Sequence, residues 1–254
     1  MPLSSRATVE LFHLVFLRAL VAKGEDKARC ALKGGCNLRF FFGSVRYSED
    51  IDLDVTSIGR ETLKNKVDRL LRSPLVLAPL KSKGVEVVDV SAPKQTETTQ
   101  RWKAGLHVDG GLPIRTKIEF SRRGTLEGAK FERVDAEALR PYGLPPFLAT
   151  HYATPAAIAQ KIHALAGRTE PQARDVFDLN ALFARADGGA LSLSDTDRAW
   201  LPKAIEHASG ISFDEYRSKV VAYLEPEQAE LYEAREHWAL MLETVVERLE
   251  SLLA

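Results

Sequence analysis

Apolar and polar residues change period several times along this chain, and each change marks an element. Between residues 8 and 22, Leu11, Val15 and Leu20, with Phe12 and Phe16, recur at helical spacing. Ala31, Leu32 and Lys33 make a short run that the glycine pair Gly34–Gly35 stops. Asn37 to Phe42 predicts a short helix rich in bulky apolar side chains. Then Asp50-Ile51-Asp52-Leu53-Asp54-Val55 alternates acid and aliphatic strictly, the period of a strand buried on one face. Residues 61–72 predict a polar-faced helix, and strands are expected over 85–90, about 100–109 and 114–120. Gly110–Gly111, between the last two strands, is a hairpin signal. Pro141, Pro145 and Pro146 mark a break in composition.

Beyond that break the pattern is helical. Thr154–Pro155 predicts an N-cap followed by proline at the first helical position. Ile158, Ile162 and Leu165 form an i, i+4, i+7 face, and another helix is expected from about Ala173. Residues 187–195 read as a loop. A last helix is expected from Pro226 to the terminus, with Leu231, Trp238, Leu242, Val245, Leu249 and Leu252 as its core-packing stripe. The simplest partition is an α/β domain over 1–145 and a helical domain over 146–254.

Composition narrows the class without naming a function. The chain has 254 residues, 45% of them hydrophobic and 28% charged, which is ordinary for a globular protein. Lys+Arg and Asp+Glu are both 35, so no global basic field points to nucleic acid; a nucleic-acid binder of this charge needs a local basic surface. Lys33, Arg39, Arg46, Arg115, Lys117, Arg122 and Arg123 are the candidates for one. Cys30 and Cys36 lack zinc-ligand spacing and read as reduced structural thiols. The segment that contains Glu10 and His13 reads as amphipathic rather than as a secretory core. No apolar run reaches the length that spans a membrane, so a soluble, cytoplasmic protein is the expectation.

The acidic strand carries the most chemistry. At about 3.3 Å per residue, neighbouring carboxylates on one face stand about 6–7 Å apart. With an effective dielectric near 20, each adjacent pair repels by roughly 2–3 kcal/mol. Such a strand either faces solvent or holds a cation, and carboxylates at this spacing suit Mg²⁺. Lys33-Gly34-Gly35, just before a helix, offers backbone N–H groups and a helix dipole to a phosphate. Arg39, Arg46 and Ser48 lie between the two motifs; the arginines either contact phosphate or pair with nearby acids. Arg115, Lys117 and Glu119 share one strand face, as a third carboxylate with phosphate-binding cations or as a cross-strand ladder of ion pairs. Lys161 borders the Ile158–Ile162–Leu165 stripe, Asp175 and Asp178 are i, i+3, and Arg174 is placed to pair with Asp178. His163 reads as a packed or surface histidine.

Four of these motifs, in order, resemble the AbiEii/AbiGii toxin family over residues 10–185. They are Leu32-Lys33-Gly34-Gly35-x-x-Leu38-Arg39; Arg46-x-Ser48-x-Asp50-x-Asp52; Ala159-x-Lys161-Ile162-His163-Ala164-Leu165; and Arg174-Asp175-x-x-Asp178-Leu179. The resemblance implies a nucleotidyltransferase-like α/β (α+β) fold, a mixed sheet flanked by helices and followed by a helical C-terminal half. It implies transfer of NMP from an NTP to an acceptor, often the 3′ end of tRNA, with release of pyrophosphate, in a toxin of a type IV toxin–antitoxin system. Asp50 and Asp52 would hold one or two Mg²⁺; Asp50, Asp52, Lys161 and Asp175 would be catalytic. Lys33, Gly34, Gly35, Arg39, Arg46, Ser48, Lys117, Glu119 and Asp178 would bind the nucleotide. Lys161, with Lys33, would offset the growing negative charge, Asp175 would orient Lys161 or the nucleotide, and a cognate antitoxin would be the protein partner. The four catalytic residues are expected to converge in one cleft between the halves. Cys36 stands where family members often have threonine, Ser48 is a site of inactivating phosphorylation in some relatives, and Asp54 falls outside the motif. A kinase-like phosphotransferase and a silent nucleotide- or protein-binding module are the alternatives.

Overall fold

In a computed structural model of the chain, residues 3–22, 28–108, 111–186, 191 and 193–253 are described. The chain divides into two units, one of residues 1–43 and 47–152, the other of residues 44–46 and 153–254.

The first unit is built on a seven-stranded mixed sheet. Its elements run α1 (Ser5–Val21), β1 (Cys30–Lys33), α2 (Gly34–Phe41), β2 (Asp50–Val55), α3 (Arg60–Leu71), α4 (Pro74–Lys81), β3 (Val85–Gln95), β4 (Thr99–Val108), β5 (Ile114–Ser121), β6 (Ala129–Arg133), α5 (Ala136–Leu139) and β7 (Leu148–Tyr152). The strand order is β3-β4-β5-β2-β1-β7-β6. The acidic strand β2 is central, antiparallel to β1 and parallel to β5. Ile51 and Leu53 lie in register with Ile118 and Phe120, and all four are buried. Trp102 of β4 meets Phe120 edge-on and completes this apolar floor.

The expected α/β architecture is present, and several local readings change. The glycine pair does not merely stop an apolar run, because Gly34 and Gly35 are the first two residues of α2. The β4–β5 pairing is antiparallel, as a hairpin requires. Gly110 itself lies outside the described residues, as do 187–190 and 192 of the expected loop. The sheet continues past the prolines into β7, which pairs with β1 and β6. Helix α1 is not a surface amphipath: Glu10 and His13 are as buried as the leucines around them. An all-round buried helix has to satisfy its polar groups internally. Glu10 does so by accepting from Arg39 at 2.5 Å and from the Tyr142 hydroxyl at 2.9 Å.

The second unit is helical: α6 (Thr154–Gly167), α7 (Ala173–Ala186), α8 (Asp195–Arg198), α9 (Leu201–Ser209), α10 (Phe213–Lys219), α11 (Pro226–Tyr232) and α12 (Arg235–Leu253). Helix α6 starts one residue earlier than predicted, with Ala153 at its N-cap, so Thr154 is already helical. Its Ile158, Ile162 and Leu165 are fully buried, as the stripe predicts. The expected C-terminal helix is two helices, α11 and α12. Leu231 is consequently exposed, and the buried stripe is Trp238, Met241, Val245 and Leu249. Trp238 stacks on Tyr216 with ring centroids 4.4 Å apart. Among the described residues no helix is long and apolar enough to cross a membrane.

Candidate active site

Because Ile51 and Leu53 take the buried face of β2, Asp50 and Asp52 stand on the opposite face. Across the parallel ladder they meet Lys117 and Glu119 of β5. Lys117 Nζ lies 2.7 Å from Asp50 Oδ2. Arg101 of β4 donates to Glu119 at 2.6 Å, and Arg115 donates to Asp89 of β3 at 2.6 Å. Residues 115–119 therefore do form the cross-strand ladder of ion pairs.

On the other flank of β2, Lys33 is the register partner of Asp52, and Gly34 opens α2 at φ +67°. A Cβ on Gly34 would come within 3.2 Å of Asp52 Oδ2. Positive φ and this close approach both call for glycine. The N-terminal turn of α2 thus abuts the Asp52 carboxylate. Burial first, then the neighbouring Asp50 charge, push the Asp52 carboxyl up to about 6, with Lys33 pulling the other way.

The donor set fits Mg²⁺. That ion takes one or two protein carboxylates and completes an octahedral shell with water and substrate phosphates. Two adjacent carboxylates supply the protein share, and burial and the Asp50 charge disfavour ionisation of Asp52 until a cation binds. Among the described residues no group of three or more His, Cys, Asp or Glu forms a complete metal cage.

Asp54 leaves this row. It is buried, with Lys33 Nζ 2.5 Å from Oδ1 and the Tyr152 hydroxyl donating to Oδ2 at 2.7 Å. It anchors Lys33.

Sequence reasoning did not find a buried polar chain behind Asp50. The Thr116 hydroxyl donates to the Glu49 carbonyl at 2.8 Å, so it must accept from His13 Nε2–H, 2.7 Å away. His13 Nδ1 is then an acceptor. The Cys36 thiol sits between it (3.4 Å) and the Asp50 carbonyl (3.3 Å), which also accepts from Ser48 Oγ at 2.9 Å. Burial pushes His13 down to about 3, so the ring is neutral. Burial, then the Asp52 charge, push the Cys36 thiol well above its ordinary range. Both cysteines are free and buried, as read from the sequence.

The second unit has its own charged cluster. Lys161 Nζ lies 3.0 Å from Asp175 Oδ1 and 2.6 Å from Asp178 Oδ2. Arg168 donates to Asp175 at 2.9 Å, and Arg46 donates to Asp178 at 2.9 Å. Asp175 and Asp178 are 0% exposed and Lys161 8%. Burial alone would raise the Asp178 carboxyl, but Arg46 and Lys161 hold it below the usual range. Burial likewise opposes the Lys161 charge, and Asp178 and Asp175 overcome it, raising its pKa. Asp178 pairs with Arg46 and Lys161 rather than with Arg174. His163 packs beside Trp200, with Nε2 3.0 Å from Asp197.

Within the first unit, Lys33, Gly34, Asp50, Asp52, Lys117 and Glu119 are thus gathered around β2. Arg46, Lys161, Asp175 and Asp178 are gathered within the second. Gly35 is the second residue of α2. Arg39 pairs with Glu10 and lies over the Tyr47 ring, 4.4 Å from its centroid. Arg101, Thr116 and Arg168 went unread: the first two join the site only through strand register, and Arg168 lies in the turn after α6.

Comparison with known proteins bears on the fold and the family. No curated protein matches the chain. JHP933 from Helicobacter pylori shares 17% identity with it, covering 99% of this chain and 96% of that one, at a TM-score of 0.60. MenT4, a nucleotidyltransferase toxin from Mycobacterium tuberculosis, shares 18% identity over 97% of this chain and 91% of its own, at a TM-score of 0.59. Identities this low speak to the fold. The family model of the nucleotidyl transferase AbiEii toxin of type IV toxin–antitoxin systems matches residues 15–252, and the chain belongs to that family of nucleotidyltransferases.

Proposed function

We propose that the chain transfers NMP from an NTP to the terminal hydroxyl of an RNA, the 3′ end of tRNA in particular, in a Mg²⁺-dependent reaction that makes it toxic until a cognate antitoxin restrains it. The observation that carries this reading is the carboxylate pair Asp50–Asp52, with the glycine-led turn of α2 against it. Mg²⁺ held by Asp50 and Asp52 would supply charge neutralisation for the phosphates and activation of the attacking hydroxyl.

The acceptor oxygen bonds to the α-phosphorus as the bond from that phosphorus to the α,β-bridging oxygen breaks. Pyrophosphate leaves with the electron pair, and the hydroxyl proton passes to solvent past the carboxylates. The N–H groups of Gly34 and Gly35 bind triphosphate oxygens at the helix N-terminus. Lys117 and Lys33 add positive charge on either side of β2. Lys161 offsets charge on the leaving pyrophosphate, and Asp175 orients it. Asp178, itself held by Arg46, holds that lysine, while Ser48 fixes the Asp50 carbonyl.

Incubating the purified protein with total RNA and each α-labelled NTP tests this. Label on RNA, with free pyrophosphate, is the expected result. Transfer from a γ-labelled NTP instead would mean a kinase, and no transfer to any RNA would end the reading.

A further inference from the structure

A groove of about 640 Å³ opens beside Asp50, lined by Glu49, Asp50, Ser91, Arg101, Lys103, Arg115, Thr116 and Lys117. Four of these are cations, carried on the adjacent strands β4 and β5. Lys103 and Lys117 are direct register partners, a like-charge pair that destabilises an antiparallel ladder. Lys117 is answered by Asp50. The Lys103 side chain is exposed and has no hydrogen-bond or ion-pair partner among the described residues. Arg101 and Arg115 are fixed by Glu119 and Asp89, and each guanidinium keeps further donors for a ligand. Gly105 makes room for one of these pairs, since a Cβ there would lie 2.4 Å from Asp89 Oδ2. Two unlike flanks therefore border the carboxylate pair: the glycine turn on the β1 side and, on the β5–β4 side, a groove that carries the unpaired Lys103 side chain.

In-line displacement requires the entering and leaving groups on opposite sides of the α-phosphorus. With the triphosphate held at the N-terminus of α2, pyrophosphate departs on the β1 side, so the attacking hydroxyl enters from the β5–β4 side. We infer that the groove over β3, β4 and β5 is the acceptor site, and that it takes the phosphodiester backbone of a single-stranded RNA end, with Lys103 as the cation that makes first contact. The inference rests on the nucleotidyl-transfer reading for its direction. A surface that offers the Lys103 ammonium and the remaining guanidinium donors of Arg101 and Arg115, beside the acids Glu49 and Asp50, suits a single strand, which is held mainly through its phosphates.

The test uses the full chain with Lys103→Glu and Lys103→Arg. Binding of a fluorescein-labelled single-stranded oligoribonucleotide lacking its 3′ hydroxyl is followed by anisotropy, beside binding of a non-hydrolysable NTP analogue. Lys103→Glu is expected to weaken the oligonucleotide about tenfold or more and to flatten the slope of log affinity against log salt by roughly 0.7. Lys103→Arg should restore both, and the analogue should bind all three proteins alike. In turnover, the KM for RNA should rise with the KM for NTP unchanged. Loss of analogue binding with oligonucleotide binding intact would reassign the groove to the nucleotide and overturn the inference, as would no change in either. Should the wild type transfer nothing to any RNA, the nucleotidyl-transfer reading fails, yet oligonucleotide binding that depends on Lys103 would still support the groove. A wild type that binds no oligonucleotide would refute it.

Discussion

Arg46 and Asp178 are 132 positions apart, and one guanidinium nitrogen reaches both carboxylate oxygens, at 2.9 and 3.1 Å. Both side chains are buried. Arg46→Ala leaves Asp178 with Lys161 as a charged partner, so no bare charge stays out of water. The variant should therefore cost about 1.5–3 kcal/mol of stability in denaturant unfolding, the loss of hydrogen bonds to a charged group. A cost below 1 kcal/mol would mean that the pair contributes little.

Lys161 shares both acids, but Asp175 keeps Arg168 and Asp178 keeps Arg46 when the lysine is removed. Lys161→Ala should be folded by circular dichroism, melt lower than the wild type, and show no transfer or growth inhibition. A folded variant that stays toxic would remove Lys161 from the chemistry.

Asp50→Asn and Asp52→Asn should each lower kcat by about a hundredfold or more, since several kcal/mol of charge stabilisation depends on the pair. In Mg²⁺-free buffer, Asp52→Asn should melt higher than the wild type, because it relieves burial and like-charge repulsion together. A lower melting point would show that Asp52 stabilises the fold.

Gly34→Ala combines a left-handed backbone with a Cβ 3.2 Å from Asp52 Oδ2. The strain should cost about 1–2 kcal/mol. Nucleotide binding, measured by calorimetry, should fall further than stability accounts for, as the first turn of α2 is displaced from the carboxylate.

His13 gives the fold an acid limit. Its pKa is depressed from the ordinary 6.5 to about 3, so below pH 6.5 the unfolded chain takes up a proton that the folded chain refuses. Stability from this group is full above pH 6.5 and declines as the pH falls toward 3. His13→Gln, which retains an N–H for Thr116, should flatten the denaturant midpoint against pH in that window. An unchanged profile would place the acid sensitivity elsewhere.

The parts of the site legible in the sequence were those written into short, periodic stretches. Alternation marked β2, a glycine pair before a helix marked α2, and i, i+3 spacing marked Asp175 and Asp178. What stayed hidden depends on distant partners. Nothing local links Arg46 to Asp178 or His13 to Thr116, and Asp54 shares its period with Asp50 yet is covered by Tyr152. Helix α4 carries Pro79 in its interior, which argues against a helix until packing overrides it. The break between α11 and α12 has no proline or glycine to announce it.

Residues 44–46 belong with the second unit although the chain on both sides of them belongs to the first. The polypeptide therefore enters the helical unit twice. A cut between Tyr152 and Ala153 would not release two self-sufficient pieces: the C-terminal fragment would carry Asp178 without Arg46. The halves are thus poor cassettes for exchange among relatives. During synthesis, a three-residue thread made early has to wait more than a hundred residues for the helix that completes it.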